Sequence, residues 1–268
     1  MPGPELPPLR SAPLDPLHVG VDLGTAYLVL VVLDHVNQPI AGEYQFAQVV
    51  RDGLVVDYLG AVDRLVEMKN RVEVRLGMPL THASSGYPPG VPLVEVRATA
   101  NVLEAAGLRC TAMIGEPSAA NALLCLRNGA IVDVGGGTTG IAILEDGQVV
   151  YTADEPTGGT HFSLVVAGAQ NISFEAAEEM KTNPAEQTRL FPILRPVMEK
   201  VASIVNRHVS ESQVKVETLT FVGGTSSYPG MAGVIEEYTG LPTYIPERPL
   251  FVTPIGIAMS DHLPNDME

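Results

Sequence analysis

Apolar and polar positions in the first part of the chain predict strands joined by a tight turn. Residues 18–23 and 27–34 are apolar runs rich in β-branched side chains, and Gly24, Thr25 and Ala26 separate them. Short apolar runs joined by a glycine-containing turn are typical of a β-hairpin. The pattern therefore predicts two antiparallel strands with a tight connection.

The rest of the first half continues as alternating elements. Residues 45–50 predict a third strand, and residues 54–69 place apolar side chains at helical spacing. Residues 79–92 contain a Ser-Ser-Gly sequence and several prolines, which indicate a loop rather than a regular element. A helix at 94–106 and a strand at 110–114 are then expected.

The strand pattern of the first half returns in the second half. Residues 130–134, 140–144 and 148–152 predict three strands, with a glycine cluster between the first two. The same apolar-Asp-apolar-Gly sequence occupies residues 21–24 and 132–135. A repeat of this size predicts two duplicated domains that face one another.

Further helices and strands are predicted after the repeat. They are helices at 173–181, 192–210 and 230–239, strands at 218–222 and 243–245, and a final helix that begins at Thr253, as N-cap, and Pro254.

Composition and charge exclude several classes of partner. Of the 268 residues 46% are apolar, enough for two modest cores, and the formal net charge is −15. An acidic chain is unsuited to nucleic acid, whose phosphates require clustered Lys and Arg, and anionic membranes repel it. We therefore expect no nucleic-acid partner and no membrane partner.

Cysteine usage and the amino terminus point to a cytoplasmic protein. Cys110 and Cys125 lie in apolar surroundings and predict two buried free thiols rather than a disulfide or a metal site. Residues 1–17 are rich in proline and lack the apolar core of a signal peptide. They predict a flexible leader.

The first candidate chemical group is Asp22, at the end of a predicted strand. Its carboxylate can hold a hard cation, while the small residues Gly24, Thr25 and Ala26 let backbone N–H groups approach phosphate oxygens. Taken alone, such a turn is more often structural. The second copy begins at Asp133 and carries Gly135, Gly136, Gly137 and Thr138, a concentration of glycine that a plain hairpin does not need.

A third glycine element, Gly223, Gly224 and Thr225, also follows a strand. By itself it is equally consistent with a simple helix-entry loop. Beside the two Asp-bearing turns it indicates a wall against which a nucleoside lies. None of the three elements matches the Gly-Lys-Ser/Thr of a Walker A loop or the Rossmann glycine pattern.

The order of these motifs resembles the signature of the actin/DnaK/MreB/sugar-kinase superfamily. The match spans residues 18–259 and includes the Glu-Pro-Ser-Ala-Ala sequence at 116–120 and the Gly-Gly pair at 158–159. Within that superfamily, the compact length, residues 157–161 and the helix that follows are most similar to the EutJ family of ethanolamine-utilisation proteins.

The resemblance implies an α/β, actin-like ATPase fold with two duplicated ribonuclease-H-like domains and a nucleotide cleft. Domain I would comprise residues 18–128 and 253–268, and domain II residues 129–252. The connecting segments are shorter than in MreB or DnaK-type chaperones, so the peripheral subdomains are expected to be reduced or absent.

The resemblance also implies the ligands, ATP or ADP with Mg²⁺, and a role for each motif residue. Asp22 and Asp133 would hold the Mg²⁺ shell, and Glu116 would position water, with Asp133 as the second catalytic residue. Glu178 and Lys181 would contact the ribose, although as a pair they are equally consistent with a solvated helix face. The remaining binding positions are Gly24, Thr25, Ala26, Gly135, Gly136, Gly137, Thr138, Gly223, Gly224 and Thr225.

By the same resemblance, the expected activity is ATP binding with weak hydrolysis, coupled to a chaperone or reactivating role. Clients would be ethanolamine ammonia-lyase or microcompartment proteins. The catalytic Lys of DnaK-type proteins has no matching position, so a nucleotide switch without turnover stays open. A filament-forming protein like MreB or FtsA is a second alternative, and a small-molecule kinase is a less favoured third.

Overall fold

The computed structural model of this protein describes residues 17–51 and 54–262. The predicted proline-rich leader lies outside these ranges except for Leu17, and so do residues 263–268. Within the described ranges, no helix is both long and apolar enough to cross a lipid bilayer.

The first half of the chain forms a five-stranded sheet covered by helices. Its elements are β1 (His18–Leu23), β2 (Tyr27–Leu33), β3 (Pro39–Phe46), β4 (Val50–Arg51), β5 (Leu54–Val55), α1 (Tyr58–Leu76), β6 (His82–Tyr87), α2 (Leu93–Ala105), β7 (Arg109–Gly115) and α3 (Glu116–Leu124). The sheet order is β3-β2-β1-β6-β7, with antiparallel pairing among β1, β2 and β3 and parallel pairing from β1 to β6 and β7.

The second half forms another five-stranded sheet. Its elements are β8 (Gly129–Val134), β9 (Thr139–Glu145), β10 (Gln148–Glu155), α4 (Gly159–Gln170), α5 (Phe174–Thr182), α6 (Pro184–Ser212), β11 (Leu219–Val222), α7 (Met231–Thr239), β12 (Thr243–Tyr244) and α8 (Val252–Ala258). The sheet order is β10-β9-β8-β11-β12, which repeats the order of the first sheet.

The two halves share one pattern, three antiparallel strands followed by helix, strand, helix, strand and helix. This finding confirms the predicted duplication. Among the described residues, the additions to the pattern are the short ribbon β4–β5 in the first half and, in the second, helices α4 and α5 and two short 3₁₀ helices, Gly224–Ser227 and Pro249–Phe251. Each half has its own apolar core, built around β1 and α1 in one case and around β8 and α6 in the other.

The prediction of a loop at 79–92 was wrong, because β6 is the middle strand between β1 and β7. The strand carries Ser84 and Ser85, both fully buried, where apolar residues would be expected. Their hydroxyls donate to backbone carbonyls, Ser85 to Val21 at 2.6 Å, so neither side chain is left unsatisfied. A polar sequence therefore forms a buried strand.

Helix α4 was not predicted from the sequence. It lacks a side-chain cap, and its first turn is held instead by a distant loop. The N–H groups of Gly159 and Thr160 donate to the carbonyls of Gly135 and Gly136, at 2.9 and 2.8 Å. Such long-range capping leaves no local signal in the sequence.

Several smaller expectations were also wrong. The third strand lies at 39–46 rather than 45–50, and α6 begins eight residues before position 192, at Pro184. Thr253 does not cap α8, since the residue before that helix is Phe251. Cys125 is exposed rather than buried because it ends α3 in a left-handed conformation, and Cys110 is only half-buried.

Helices α3 and α8 cross where the two halves meet. A Cβ on Gly256 would lie 1.7 Å from the carbonyl oxygen of Ala119, so only glycine permits this close approach. Helix α8 packs on β1, β2 and β6 of the first sheet. Ala120 of α3 packs with Ile131 and Leu144 of the second sheet, which links the halves beneath the cleft.

Candidate functional site

A cavity of about 620 Å³ lies between the two halves. This volume falls in the range of about 300–1,000 Å³ that small-molecule sites occupy. All of the site residues predicted from the sequence line it, from both halves of the chain. They are Asp22, Gly24, Thr25, Ala26, Glu116, Asp133, Gly135, Gly136, Gly137, Thr138, Glu178, Lys181, Gly223, Gly224 and Thr225.

The two Asp-bearing turns have the same backbone geometry. The N–H of Gly24 donates to the carbonyl of Tyr27 at 3.1 Å, and the N–H of Gly135 donates to the carbonyl of Thr138 at 3.0 Å. Each bond closes a turn directly after a buried strand. The turns are therefore equivalent loops of the two halves, and both open into the cavity.

The two turns approach one another so closely that the second must be built from glycine. A Cβ on Gly136 would lie 2.2 Å from the Cβ of Ala26, and one on Gly137 would lie 2.7 Å from the Cγ2 of Thr25. Because no side chain fits there, backbone N–H groups remain accessible to an anion. Such a cradle suits the phosphates of a nucleotide.

Three carboxylates face one another beside these turns. Burial, and then repulsion from Asp133, raises the pKa of Asp22 to about 7. Burial raises the pKa of Asp133 to about 6, although a hydrogen bond from Thr253 at 3.0 Å lowers it. Burial, followed by repulsion from Asp22 and Asp133, raises the pKa of Glu116 well above its usual value. A cation would relieve this repulsion.

The arrangement fits a hydrated Mg²⁺ ion rather than a bare one. Among the described residues, no group of three or more Asp, Glu, His or Cys side chains is arranged to hold a metal ion directly. Mg²⁺ usually keeps several waters and is bound through one or two carboxylates together with phosphate oxygens. Asp22 and Asp133, beside a phosphate cradle, match that donor set.

Glu178 and Lys181 form a partly buried pair, not the solvated one that the sequence left open. The Nζ of Lys181 lies 2.7 Å from Glu178 Oε2 and donates to the carbonyl of Gly159 at 3.1 Å. Ser163 also donates to Glu178. Burial lowers the pKa of Lys181, whereas Glu178 raises it. The side chain of Lys181 is 11% exposed and that of Glu178 is 14% exposed, and both line the cavity.

The third glycine element is packed tightly against the second Asp-bearing loop. Gly223 has a φ of +85°, and a Cβ there would lie 2.2 Å from Asp133 Oδ1. Its N–H donates to the carbonyl of Pro249, and Thr225 Oγ1 donates to the carbonyl of Gly135 at 2.8 Å. The element thus holds its backbone against the cavity, beside the second Asp-bearing loop.

The structure adds three residues that the sequence reasoning missed. Asp154, Tyr27 and Thr253 all line the cavity. Thr253 was interpreted only as a helix cap, and Asp154 lies in a strand whose pairing no local motif reveals. Tyr27 directly follows Ala26 of the first turn, and this position was the one feature of the sequence that could have indicated its place in the cavity.

Comparisons with known proteins agree with this geometry. The family model described as type IV pilus assembly protein PilM matches residues 94–253. The ethanolamine utilization protein EutJ of Escherichia coli is 43% identical over 251 residues, which cover 93% of this chain and 88% of that protein. The crystal structure of EutJ from Carboxydothermus hydrogenoformans has a TM-score of 0.88 and 43% identity, and the match covers 95% of this chain and 90% of that one.

A more distant structure supports the fold alone. MreB5 of Spiroplasma citri, solved bound to ADP, has a TM-score of 0.71 at 17% identity, covering 91% of this chain and 95% of that one. Together with the repeated sheets, these matches confirm the actin-like ATPase fold predicted from the motif order.

Proposed function

This chain belongs to the EutJ family, and on that premise we propose that it binds Mg²⁺-ATP in the central cleft. We further propose that it works in the cytoplasm as a nucleotide-driven accessory protein of ethanolamine utilisation. The observation that carries the proposal is the pair of equivalent turns, one from each half, that meet over three carboxylates.

Each part of the cleft has a defined task in this proposal. Backbone N–H groups of Thr25, Gly136 and Gly137 bind phosphate oxygens. Asp22 and Asp133 hold waters of the Mg²⁺ ion, which would neutralise phosphate charge when bound.

The nucleoside is held by a second group of cavity residues. Glu178 and Lys181 contact the ribose, and the backbone of Gly223 and Gly224 lies beside the base. These contacts use groups that are already fixed by their own hydrogen bonds, so little ordering is needed on binding.

Hydrolysis requires a positioned water, and Glu116 is the residue assigned to it. Its raised pKa, caused first by burial and then by Asp22 and Asp133, would fall when a cation enters, so that an ionised carboxylate could accept a proton. Because no Lys matches the one that DnaK-type proteins supply, we expect turnover to be slow. A switch that binds without turnover is the alternative.

The nucleotide is proposed to change the angle between domain I, residues 18–128 and 253–268, and domain II, residues 129–252. Ligands that bind between two domains favour the closed arrangement by the difference in their affinity for the two states. Open and closed forms would then present different surfaces to ethanolamine ammonia-lyase or to a microcompartment protein, in a chaperone or reactivating role.

A filament-forming role is the second candidate. Strand β3 lies at the edge of its sheet and exposes Ile40, Tyr44 and Phe46, at 45%, 54% and 41%. Although Tyr44 and Phe46 also line the cavity, the unpaired edge is one that another chain could cover. Sedimentation with Mg²⁺-ATP separates the two roles, since a filament pellets above a critical concentration and an accessory protein stays in the supernatant.

Calorimetric titration with ATP tests the central proposal. We expect Mg²⁺-dependent binding that Asp22→Ala abolishes, whereas Asp146→Asn, in the exposed β9–β10 turn outside the cavity, binds like the wild type. Absence of binding heat from folded wild-type protein would refute the proposal. The rate of phosphate release by wild type, Glu116→Gln and Asp133→Asn then decides between hydrolysis and a switch. If the protein is a switch without turnover, all three rates are equally near zero; if it hydrolyses ATP, the wild type is faster than either variant.

Client recognition is tested by co-purification. Tagged protein loaded with a non-hydrolysable ATP analogue or with ADP is mixed with ethanolamine ammonia-lyase and, separately, with microcompartment shell protein. We expect one of the two to bind in one nucleotide state more than in the other. Equal or absent retention in both states contradicts the accessory role while leaving nucleotide binding intact.

A further inference from the structure

Strand register places Asp154 in line with Asp133 across the second sheet. Asp133 of β8 pairs directly with Gly140 of β9, and Gly140 pairs directly with Asp154 of β10. Residues that are directly opposite one another in neighbouring strands project from the same face of the sheet. The two aspartates therefore share one face, separated only by a residue that has no side chain.

The missing side chain at Gly140 leaves room between the two carboxylates. A Cβ at Gly140 would lie 3.9 Å from the Cβ of Asp133 and 3.9 Å from Asp154 Oδ1. The Asp154 carboxylate thus leans over Gly140 toward Asp133. Asp154 also lines the cavity that contains the two phosphate-binding turns.

Electrostatics agree with this placement. Asp154 is among the groups that raise the pKa values of Glu116 and Asp133, after burial and, for Glu116, after Asp22 and Asp133. Four carboxylates therefore act on one another at the end of the cleft where the turns meet.

We propose that Asp154 is a positioning residue of the nucleotide site, whose carboxylate would accept hydrogen bonds from waters around a bound Mg²⁺. This role rests on the proposed function and adds a residue to it. Carboxylates beyond the direct ligands orient such waters, and their loss typically weakens metal binding by about 10–100-fold. Gly140 is part of the same arrangement, because its missing side chain leaves space between the two carboxylates.

The test measures how much Mg²⁺ is needed to bind a non-hydrolysable ATP analogue. For Asp154→Asn we expect the half-saturating Mg²⁺ concentration to rise about tenfold. Asp146→Asn is the matched control, since it removes the same charge from the opposite end of the β9–β10 hairpin. We expect it to titrate as the wild type does.

Relocating the carboxylate by one strand distinguishes a positioning role from a structural one. Gly140 has no left-handed φ, and a Cβ there would meet its neighbours only at ordinary contact distance, so β9 can accept an Asp at this position. In Asp154→Asn, adding Gly140→Asp should restore most of the Mg²⁺ affinity. Thermal denaturation of each variant without ligand confirms that it is folded.

The outcomes separate this proposal from the central one. If wild type shows no Mg²⁺-dependent binding, the proposed function itself fails. If wild type binds and Asp154→Asn has an unchanged Mg²⁺ requirement, the role of Asp154 is refuted. The role of Asp154 is also refuted if Asp154→Asn weakens Mg²⁺ binding and the added Gly140→Asp change does not restore it. The weakening would then not depend on a carboxylate at this place.

Discussion

The hydroxyl of Thr253 donates a hydrogen bond of 3.0 Å to the Oδ2 of Asp133, a residue 120 positions earlier in the chain. Thr253 lies in α8, which packs on the first sheet, whereas Asp133 lies in β8 of the second sheet. The bond therefore joins a helix that packs on the first sheet to a strand of the second sheet, at the carboxylate proposed to hold Mg²⁺. It also favours the ionised form of that carboxylate, since it lowers a pKa that burial raises to about 6.

Removing this donor should weaken Mg²⁺-nucleotide binding in a pH-dependent way. In Thr253→Val the pKa of Asp133 rises above its present value of about 6, because burial is then opposed by no hydrogen bond. We expect about tenfold weaker binding near pH 7, the equivalent of a hydrogen bond to a charged group. Titrations from pH 6 to pH 8.5 should show the loss diminish as pH increases, and Thr253→Ser should resemble the wild type.

Asp22 should destabilise the ligand-free protein at neutral and alkaline pH. The pKa of its carboxyl in the folded protein, about 7, lies above the ordinary aspartate value of 3.8, so the folded state binds more protons between these values. The free energy of unfolding then falls as pH rises from about 4 to 7 and levels off above that. Asp22→Asn removes this dependence.

The comparison of the two unfolding curves is the measurement. Urea denaturation without nucleotide should show Asp22→Asn more stable than wild type by about 4 kcal/mol at pH 8 and little different at pH 4. Stabilisation by Mg²⁺-ATP should be lost in the same variant. If the difference in the free energy of unfolding between the two proteins were the same at every pH, the raised pKa given to Asp22 would be contradicted.

The crossing of α3 and α8 should not tolerate a methyl group. Gly256→Ala would place Cβ 1.7 Å from the carbonyl oxygen of Ala119, so the helices must separate, at an expected cost of about 1–3 kcal/mol. Gly168→Ala, at an exposed position of α4 with no atom near the new Cβ, should instead stabilise by about 0.5–1 kcal/mol. Thermal denaturation of both variants checks the contrast, and equal effects would contradict the close crossing.

The pair formed by Glu178 and Lys181 should contribute to stability and binding in separable ways. Lys181→Met leaves the partly buried Glu178 without its cation, and we expect a loss of about 2–3 kcal/mol in the free energy of unfolding. Adding Glu178→Gln removes the unpaired charge and should recover part of that loss. Nucleotide affinity should stay low in the double variant, because neither ribose contact is restored.

The predicted site residues were recoverable from sequence because each lies in a turn or motif with its own chemistry. Asp133 precedes a concentration of glycine that a plain hairpin does not need, and the repeat indicates that Asp22 faces it. Glu178 and Lys181 were identified by their position in a motif, but the sequence did not predict that their side chains would be partly buried. That depends on Ser163 and the carbonyl of Gly159, which belong to a helix that the sequence did not reveal.

The duplicated α/β pattern, the two Asp-bearing turns and the family resemblance could all be predicted from the order of residues, because they depend on local spacing and on glycine chemistry. Three further relations required the folded chain: the polar residues of β6 form a buried strand, Thr253 bonds Asp133, and Asp154 shares the face of Asp133. Those relations depend on strand register and on partners far away in the chain. A pattern of neighbouring residues carries no information about such partners.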